Sequence, residues 1–201
     1  MSKIKIFNSA AGYDLAAAGY DKKEKYLNSF EQNKLLPLLG SIKDKEVLEV
    51  GAGTGRLTIS LIHSGAKVTA LDISSQMLEI LRNKNSKLEV IVGDAENLPF
   101  TDNTFDVVIG AFLIVHLKDP KIFFDEAYRV LKDGGRLIVT NINQKEAPEI
   151  KIKNGTIKIA SYYHRPDQLI EALENLAFKI EKNIFVREQD TWVNQIIVAS
   201  K

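Results

Sequence analysis

Val47-Leu48-Glu49-Val50-Gly51-Ala52-Gly53-Thr54-Gly55 runs from a short apolar stretch straight into glycines at alternate positions. The apolar stretch reads as a buried strand and the glycines as its turn into a helix. Glycine allows a tight turn and lets backbone approach a ligand with no side chain in the way. The amides that open the following helix carry partial positive charge, which suits a carboxylate or a phosphate. Alternate glycines behind a buried strand argue against a plain connecting turn. A dinucleotide fingerprint is spaced G-x-G-x-x-G. Here the run is G-x-G-x-G and residue 56 is Arg, which weakens a dinucleotide reading.

Working outward, residues 21–40 read as one helix with Tyr26, Phe30, Leu35 and Leu36 as its apolar positions. Beyond the glycines, a helix should run to about His63 and stop at Gly65. Residues 68–72 form a second strand ending in Asp72. Ser74 can cap the next helix, whose Met77, Leu78 and Leu81 have helical spacing. Residues 88–92 and 105–110 read as strands. Asp119-Pro120 starts a helix that should run to about Lys132 and stop at Gly134-Gly135, before a strand at 137–140. Strand and helix in alternation imply parallel strands with right-handed crossovers and helices on both faces, the doubly wound α/β class. Ligands of such sheets bind beyond the carboxyl ends of the strands.

After residue 140 the pattern changes. Residues 150–153 and 156–159 alternate strictly around Asn154-Gly155, a hairpin signal. A helix begins near Pro166, and 179–186 with 191–199 read as a closing antiparallel pair.

The chain has 201 residues, enough for one α/β domain and few for two. Its formal charge of +1 carries no sign of a nucleic-acid surface. Zero cysteines exclude a disulfide framework, and the histidines His63, His116 and His164 lack metal-ligand spacing, so no metal is expected. No apolar run approaches the ~20 residues that span a bilayer. Residues 1–10 lack a leader-like apolar core. The expectation is a cytoplasmic protein with no membrane partner.

Asp72 ends a strand where a carboxylate can accept from both ribose hydroxyls of an adenosine. Gly93-Asp94-Ala95-Glu96-Asn97-Leu98-Pro99-Phe100 follows the third strand of the core. Phe105-Asp106-Val107-Val108-Ile109-Gly110-Ala111 comes next, and Leu131-Lys132-Asp133-Gly134-Gly135-Arg136-Leu137 after it. Together with 47–55 these blocks cover roughly residues 45–140. In order and spacing the chain resembles the class I S-adenosylmethionine-dependent methyltransferases related to ubiquinone/menaquinone biosynthesis and to small-molecule methylation.

The resemblance implies a Rossmann-like sheet of seven strands in the order 3-2-1-4-5-7-6, only strand 7 antiparallel, with the hairpin added after strand 5. It implies one domain over 1–201: a helical cap at 1–40, a cofactor-binding core at 45–140, a hairpin insertion at 148–165, and a closing helix and strand pair at 166–201. Glu49, Gly51, Ala52, Gly53 and Gly55 would hold the methionyl part of S-adenosylmethionine. Asp72 would take the ribose and Ile73 would pack on the adenine. Asp94 would accept from the adenine amino group and the Ala95 amide would donate to a ring nitrogen. Ala111 and Phe112 would form the floor beneath the reactive methyl.

Methyl transfer from a sulfonium is a one-step displacement in which the protein supplies position and electrostatics. A neutral amine acceptor needs little more, whereas a hydroxyl or acidic carbon needs a base, for which His116 is the candidate. Tyr20 is expected beside the methyl, where its ring can attract the sulfonium by about 0.5–2 kcal/mol. Tyr13 and the cluster Tyr162, Tyr163, His164 and Arg165 are expected to form the pocket of a small-molecule acceptor. The stretch carrying Tyr13 and Tyr20 and the hairpin should reach the same edge of the sheet and close over the cofactor. His63 and Trp192 read as structural. Two other functions share these motifs: a non-catalytic binder of adenosylmethionine or adenosylhomocysteine, and a nicotinamide-dependent oxidoreductase. The sequence carries no signal for oligomeric state.

Overall fold

A computed structural model describes residues 4–31 and 33–201. Residues 1–3, within the stretch read as lacking a leader core, and residue 32, within the expected helix at 21–40, lie outside the described residues.

The central sheet starts from strand β2 (Glu46–Val50), which pairs in parallel with β3 (Lys67–Asp72) on one side and β5 (Phe105–Gly110) on the other. β1 (Ile6–Phe7) precedes them in the chain, and β4 (Glu89–Val92) edges the sheet beyond β3. β6 (Leu131–Ile142) lies beyond β5. The closing strands β9 (Lys179–Glu188) and β10 (Thr191–Ser200) follow. The order is β4-β3-β2-β5-β6-β10-β9, with β10 antiparallel to both neighbours. This is the arrangement that the resemblance implied.

Alternation along the strands sorts side chains to two faces. Leu48, Val108, Leu137, Val139 and Ile197 face one core with α6 (Pro120–Val130) and α7 (Pro166–Asn175). Val47, Val107, Ile109, Ile138 and Ile196 face the other, under α3 (Leu35–Leu38) and α4 (Thr58–His63). A further helix, α5 (Ser75–Lys84), is capped by Ser74, whose hydroxyl accepts from the Met77 amide at 3.2 Å. Asp119 caps α6 with Pro120 at its start, as its sequence announces.

The expected helix at 21–40 is instead a series of short pieces. α1 (Ser9–Ala16) leads into a 3-10 turn at Ala17–Lys23, α2 (Glu24–Glu31) follows, and Asn33 at φ 59° separates α2 from α3. Further on, α6 stops at Val130 rather than Lys132. Leu131 already pairs with Phe105, which draws the loop with Gly134 into β6.

The hairpin, β7 (Glu149–Ile152) and β8 (Gly155–Ile159), forms with its two-residue turn one position earlier than expected. Ile152 pairs with Gly155, so the turn is Lys153-Asn154 and Gly155 opens β8. The left-handed value belongs to Gly155, at φ 133°. β1 adds to β8 in parallel, Phe7 opposite Ile159, giving a small three-stranded sheet. Its inner face, Ile150, Ile157 and Ile159, packs on Ala16 and Tyr13. A Cβ on Gly12 would stand 2.7 Å from Ile159 Cγ1, so glycine lets α1 lie flat on β8. The amino-terminal segment and the hairpin thus meet, as expected.

Candidate active site

The carboxyl ends of β2, β3 and β5 open into a cavity of about 290 Å3. The glycine loop forms one wall. Its Gly51 and Ala52 amides donate to Leu71 O at 2.8 and 3.0 Å, which locks the loop to the end of β3. Regular helix begins only at Thr58, and Gly51, Ala52, Gly53 and Thr54 of the loop border the cavity.

Gly53 sits at φ 57°, and a Cβ there would meet nothing within 4 Å. Gly55, at φ 92°, is different. A Cβ there would fall 2.3 Å from Leu81 Cδ1, and the residue does not line the cavity. Its expected role as a cofactor contact is therefore corrected: Gly55 makes room for the buried α5. Glu49, Gly51, Ala52 and Gly53 all border the space.

Asp72 is 8% exposed. Its carboxylate accepts from the Gly53 and Ser74 amides, both at 2.8 Å. Burial pushes its pKa up and those amides pull it back, leaving it raised. Asp72 thus ties the glycine loop to the cap of α5 and has remaining lone pairs toward the cavity. Ile73, Asp94 and Ala95 continue the same wall, with Ile73 40% exposed.

Glu49 is buried, and its Oε2 accepts from Thr58 Oγ1 at 2.6 Å. Desolvation raises its pKa to about 7 against the opposing pull of Thr58 and Arg56. A buried carboxyl of this kind suits a ligand's ammonium group.

Arg56 closes the opposite side. Its guanidinium grips the Glu31 carboxylate through two nitrogens, both at 2.8 Å, bonds Asn28 at 2.9 Å, and lies 5.2 Å over the Phe112 ring. Phe112 is held at φ 57°, a left-handed value that costs a non-glycine residue energy, with its amide donating to Thr140 Oγ1 at 2.8 Å. The strain turns the Phe112 ring toward the site beside Ala111, where both line the cavity.

Tyr13, Tyr20 and His116 form the roof. Tyr13 Oη lies 2.6 Å from His116 Nε2, and His116 Nδ1 lies 3.0 Å from Ala160 O. The Tyr20 ring meets Tyr13 edge-on at 5.8 Å. Burial lowers the His116 pKa and raises that of Tyr13, so both are neutral near pH 7.

The cluster at 162–165 does not line the cavity. The Tyr162 amide donates to Val115 O at 2.7 Å, His164 Nε2 bonds Leu117 O at 2.9 Å, and Arg165 pairs with Asp167. Those bonds anchor the hairpin behind the site, leaving the Tyr162 and Tyr163 rings outside at 38% and 39% exposure. Several lining residues lay beyond the sequence reading: Asn8, Ser9, Leu27, Arg56 and Leu113. For Asn8 a signal existed, since its side chain accepts from the Ala11 amide and caps α1. Arg56 directly follows the glycine loop. Among the described residues no group of three or more His, Cys, Asp or Glu side chains could hold a metal.

Residues 48–139 match the family model of the methyltransferase domain. Over those 92 residues, a little under half of its length, the chain is similar to a methyltransferase domain. Curated relatives extend the likeness past the domain. A demethylmenaquinone methyltransferase of Tropheryma whipplei is 36% identical over 133 residues, 63% of this chain and 56% of that protein. The one from Clavibacter sepedonicus is 31% identical over 150 residues, 71% of this chain and 61% of the relative. The chain therefore spans little more than half the length of the curated relatives it matches. Solved structures share the fold. An S-adenosylmethionine-dependent methyltransferase from Mesorhizobium loti superposes with a TM-score of 0.72 at 16% identity, covering 86% of this chain and 98% of that one. The magnesium protoporphyrin IX methyltransferase of Synechocystis, solved with adenosylhomocysteine bound, superposes at 0.72 with 18% identity, covering 97% and 95%. The glycine loop, Asp72 and Asp94 all fall within the matched residues.

Proposed function

We propose that this chain transfers a methyl group from S-adenosylmethionine to a small-molecule acceptor in one displacement. One observation carries the reading. The glycine loop, Glu49, Asp72 and Asp94 share a single cavity with an aromatic roof of Tyr13, Tyr20 and His116. A polar half fitted to adenosine and an amino acid thus opens directly on an apolar half fitted to an acceptor.

The residues present fit the cofactor. Open space at the Gly53 Cβ position leaves room for a ligand against the loop, and the buried Glu49 carboxyl suits an ammonium group. When bound, the cofactor supplies an electrophilic methyl on a sulfonium. Glu49 and the Gly51–Gly53 loop then hold the methionyl end, Asp72 and Asp94 hold ribose and adenine, Ile73 packs on the base, and Ala111 and Phe112 floor the methyl. Tyr20 presents its ring to the sulfonium. Alignment of acceptor and methyl provides much of the acceleration. Cap, core, hairpin and closing strand pair serve this one site as a single domain.

The cavity's modest size and closed roof favour a compact acceptor over a macromolecule. The relatives' names point to a quinone precursor as the first acceptor to try. Among the described residues no helix is long and apolar enough to cross a membrane, which accords with a cytoplasmic location. The test is incubation with adenosylmethionine and a metabolite extract, read by mass spectrometry. Adenosylhomocysteine should accumulate with a metabolite one CH2 heavier. Saturable cofactor binding with no product from any extract would favour the non-catalytic binder. NADH binding in place of adenosylmethionine would favour the oxidoreductase.

A further inference from the structure

The amino ends of β2, β5 and β6 carry a second opening, at the opposite end of the strands from the cavity described above. β5 and β6 pair through Phe105 with Leu131 and next through Val107 with Arg136, so residues 132–135 bulge out of β6 opposite Asp106. Bulges re-aim side chains and recur beside binding sites. Gly134 turns this one at φ 73°, and a Cβ there would meet nothing within 4 Å. The bulge borders a space of about 200 Å3, closed on another side by Ser41 and Lys45 ahead of β2.

Three cations line that space. Lys132 Nζ lies 3.1 Å and Lys45 Nζ 3.6 Å from the Asp106 carboxylate, so two lysines share one counter-ion. That carboxylate also accepts from the Glu46 amide at 2.9 Å. Burial pushes its pKa up, but the amide and the lysines pull harder, leaving it lowered and ionised at neutral pH. Arg136 has no carboxylate partner among the described residues. Its guanidinium donates to the carbonyls of Leu38, at 3.4 Å, and Leu39, which leaves further N–H groups for a ligand. Asp133, exposed on the bulge, is the one other carboxylate bordering the space. Cations therefore outnumber carboxylates around it.

We propose that this opening binds a small phosphate-bearing anion, either inorganic phosphate or a small phosphate monoester. The inference does not depend on the methyl-transfer reading, since none of these residues lines the first cavity. A planar guanidinium fork, two ammonium point charges and the Ser41 hydroxyl are a donor set that phosphate oxygens accept from. A dianion among them gives the two lysines a second counter-ion and Arg136 its first. The space is smaller than the roughly 300–1,000 Å3 of drug-sized ligand pockets, which favours a small anion over a nucleotide.

The test is calorimetric titration of the full chain with inorganic phosphate and with glycerol 3-phosphate, at fixed ionic strength, with adenosylhomocysteine present to fill the first cavity. One site per chain should saturate. The Lys45 and Lys132 side chains are 51% and 40% exposed, so replacing them leaves the core intact. Lys45→Gln and Lys132→Gln should each weaken binding about tenfold, the loss of one charge-assisted bond. Asp133→Asn should tighten it, and Lys151→Gln, on the hairpin, should leave it unchanged, which separates a site from overall charge. Phosphate should also raise the thermal midpoint of the wild type and not that of the double lysine variant. Tighter binding of glycerol 3-phosphate than of phosphate would assign the monoester, and the reverse order the free ion. No saturation with either anion, an equal loss in Lys151→Gln, or unchanged affinity in both lysine variants would overturn the proposal. So would displacement of phosphate by adenosylhomocysteine, which would put the anion on the glycine loop instead.

Discussion

Glu49 is where residue-scale physics is most exposed to measurement. Its pKa near 7 means the folded, empty site still holds a proton that the unfolded chain releases near 4.5. Folding therefore loses stability as pH climbs from 4.5 toward 7, the reverse of a salt-bridged carboxylate. An ammonium ligand needs the ionised form. Adenosylmethionine affinity should thus rise with pH below about 7, approaching tenfold per unit, and level off above it. Calorimetry across that range checks this, and Glu49→Gln should flatten the slope; a slope that survives in the variant removes Glu49 from the site. The glycines divide by what faces them. Gly53→Val points a branched side chain into open cavity at φ 57°, so it should abolish cofactor binding in a chain that still melts cooperatively. Gly55→Ala drives a methyl into Leu81 and should cost stability, about 1–3 kcal/mol, before it costs binding. If the two variants exchange phenotypes, the loop assignment is wrong. The sequence separated Gly51, Gly53 and Asp72 from the background because their signal is local spacing. It could not separate Gly53 from Gly55, since only the neighbour across the fold distinguishes them. Tyr13 and His116, 103 positions apart, left no local trace of their bond.

At the scale of elements, the amino-terminal cap is held by polar pins. Asp14 accepts from Ser74 Oγ at 2.6 Å, Lys84 pairs with Asp21 at 2.8 Å, and Arg56 grips Glu31. The last is the most buried, with the Arg56 and Glu31 side chains 14% and 6% exposed. Removing one partner of such a pair leaves a charge stranded. Glu31→Gln should lower stability by about 3 kcal/mol and speed hydrogen exchange across α2. Thermal melts with exchange mass spectrometry decide it, and unchanged values in both would show that the pair does not fasten the cap. Elements with their own start signals, such as α5 behind Ser74 and α6 behind Asp119-Pro120, were legible. β1 was not, because a two-residue strand owes its form to the edge of β8 rather than to its own pattern. The hairpin was legible in kind and shifted in register, since turn position depends on which residue accepts the left-handed angle. The outward placing of residues 162–165 depended on backbone bonds to Val115 and Leu117 that no periodicity encodes.

At the scale of the whole molecule, alternation of strand and helix was enough to imply a parallel, doubly wound sheet. The strand order came from family resemblance, because spacing alone does not say that β10 inserts between β6 and β9. That insertion leaves the carboxyl ends of β2, β3 and β5 free to carry the site, while α1 and the 3-10 turn roof it. The roof is the part of the site least written in the chain: it is assembled from segments distant in sequence, whereas the opposite wall follows one stretch of core. The central claim is that this cavity is built for adenosylmethionine. Calorimetric titration of the full chain with adenosylmethionine, adenosylhomocysteine and NADH tests it most directly. The account predicts saturable binding of the first two at one site per chain, lost in Gly53→Val, and no binding of NADH. A folded chain that binds neither sulfur compound, or that binds them unchanged in Gly53→Val, would contradict it.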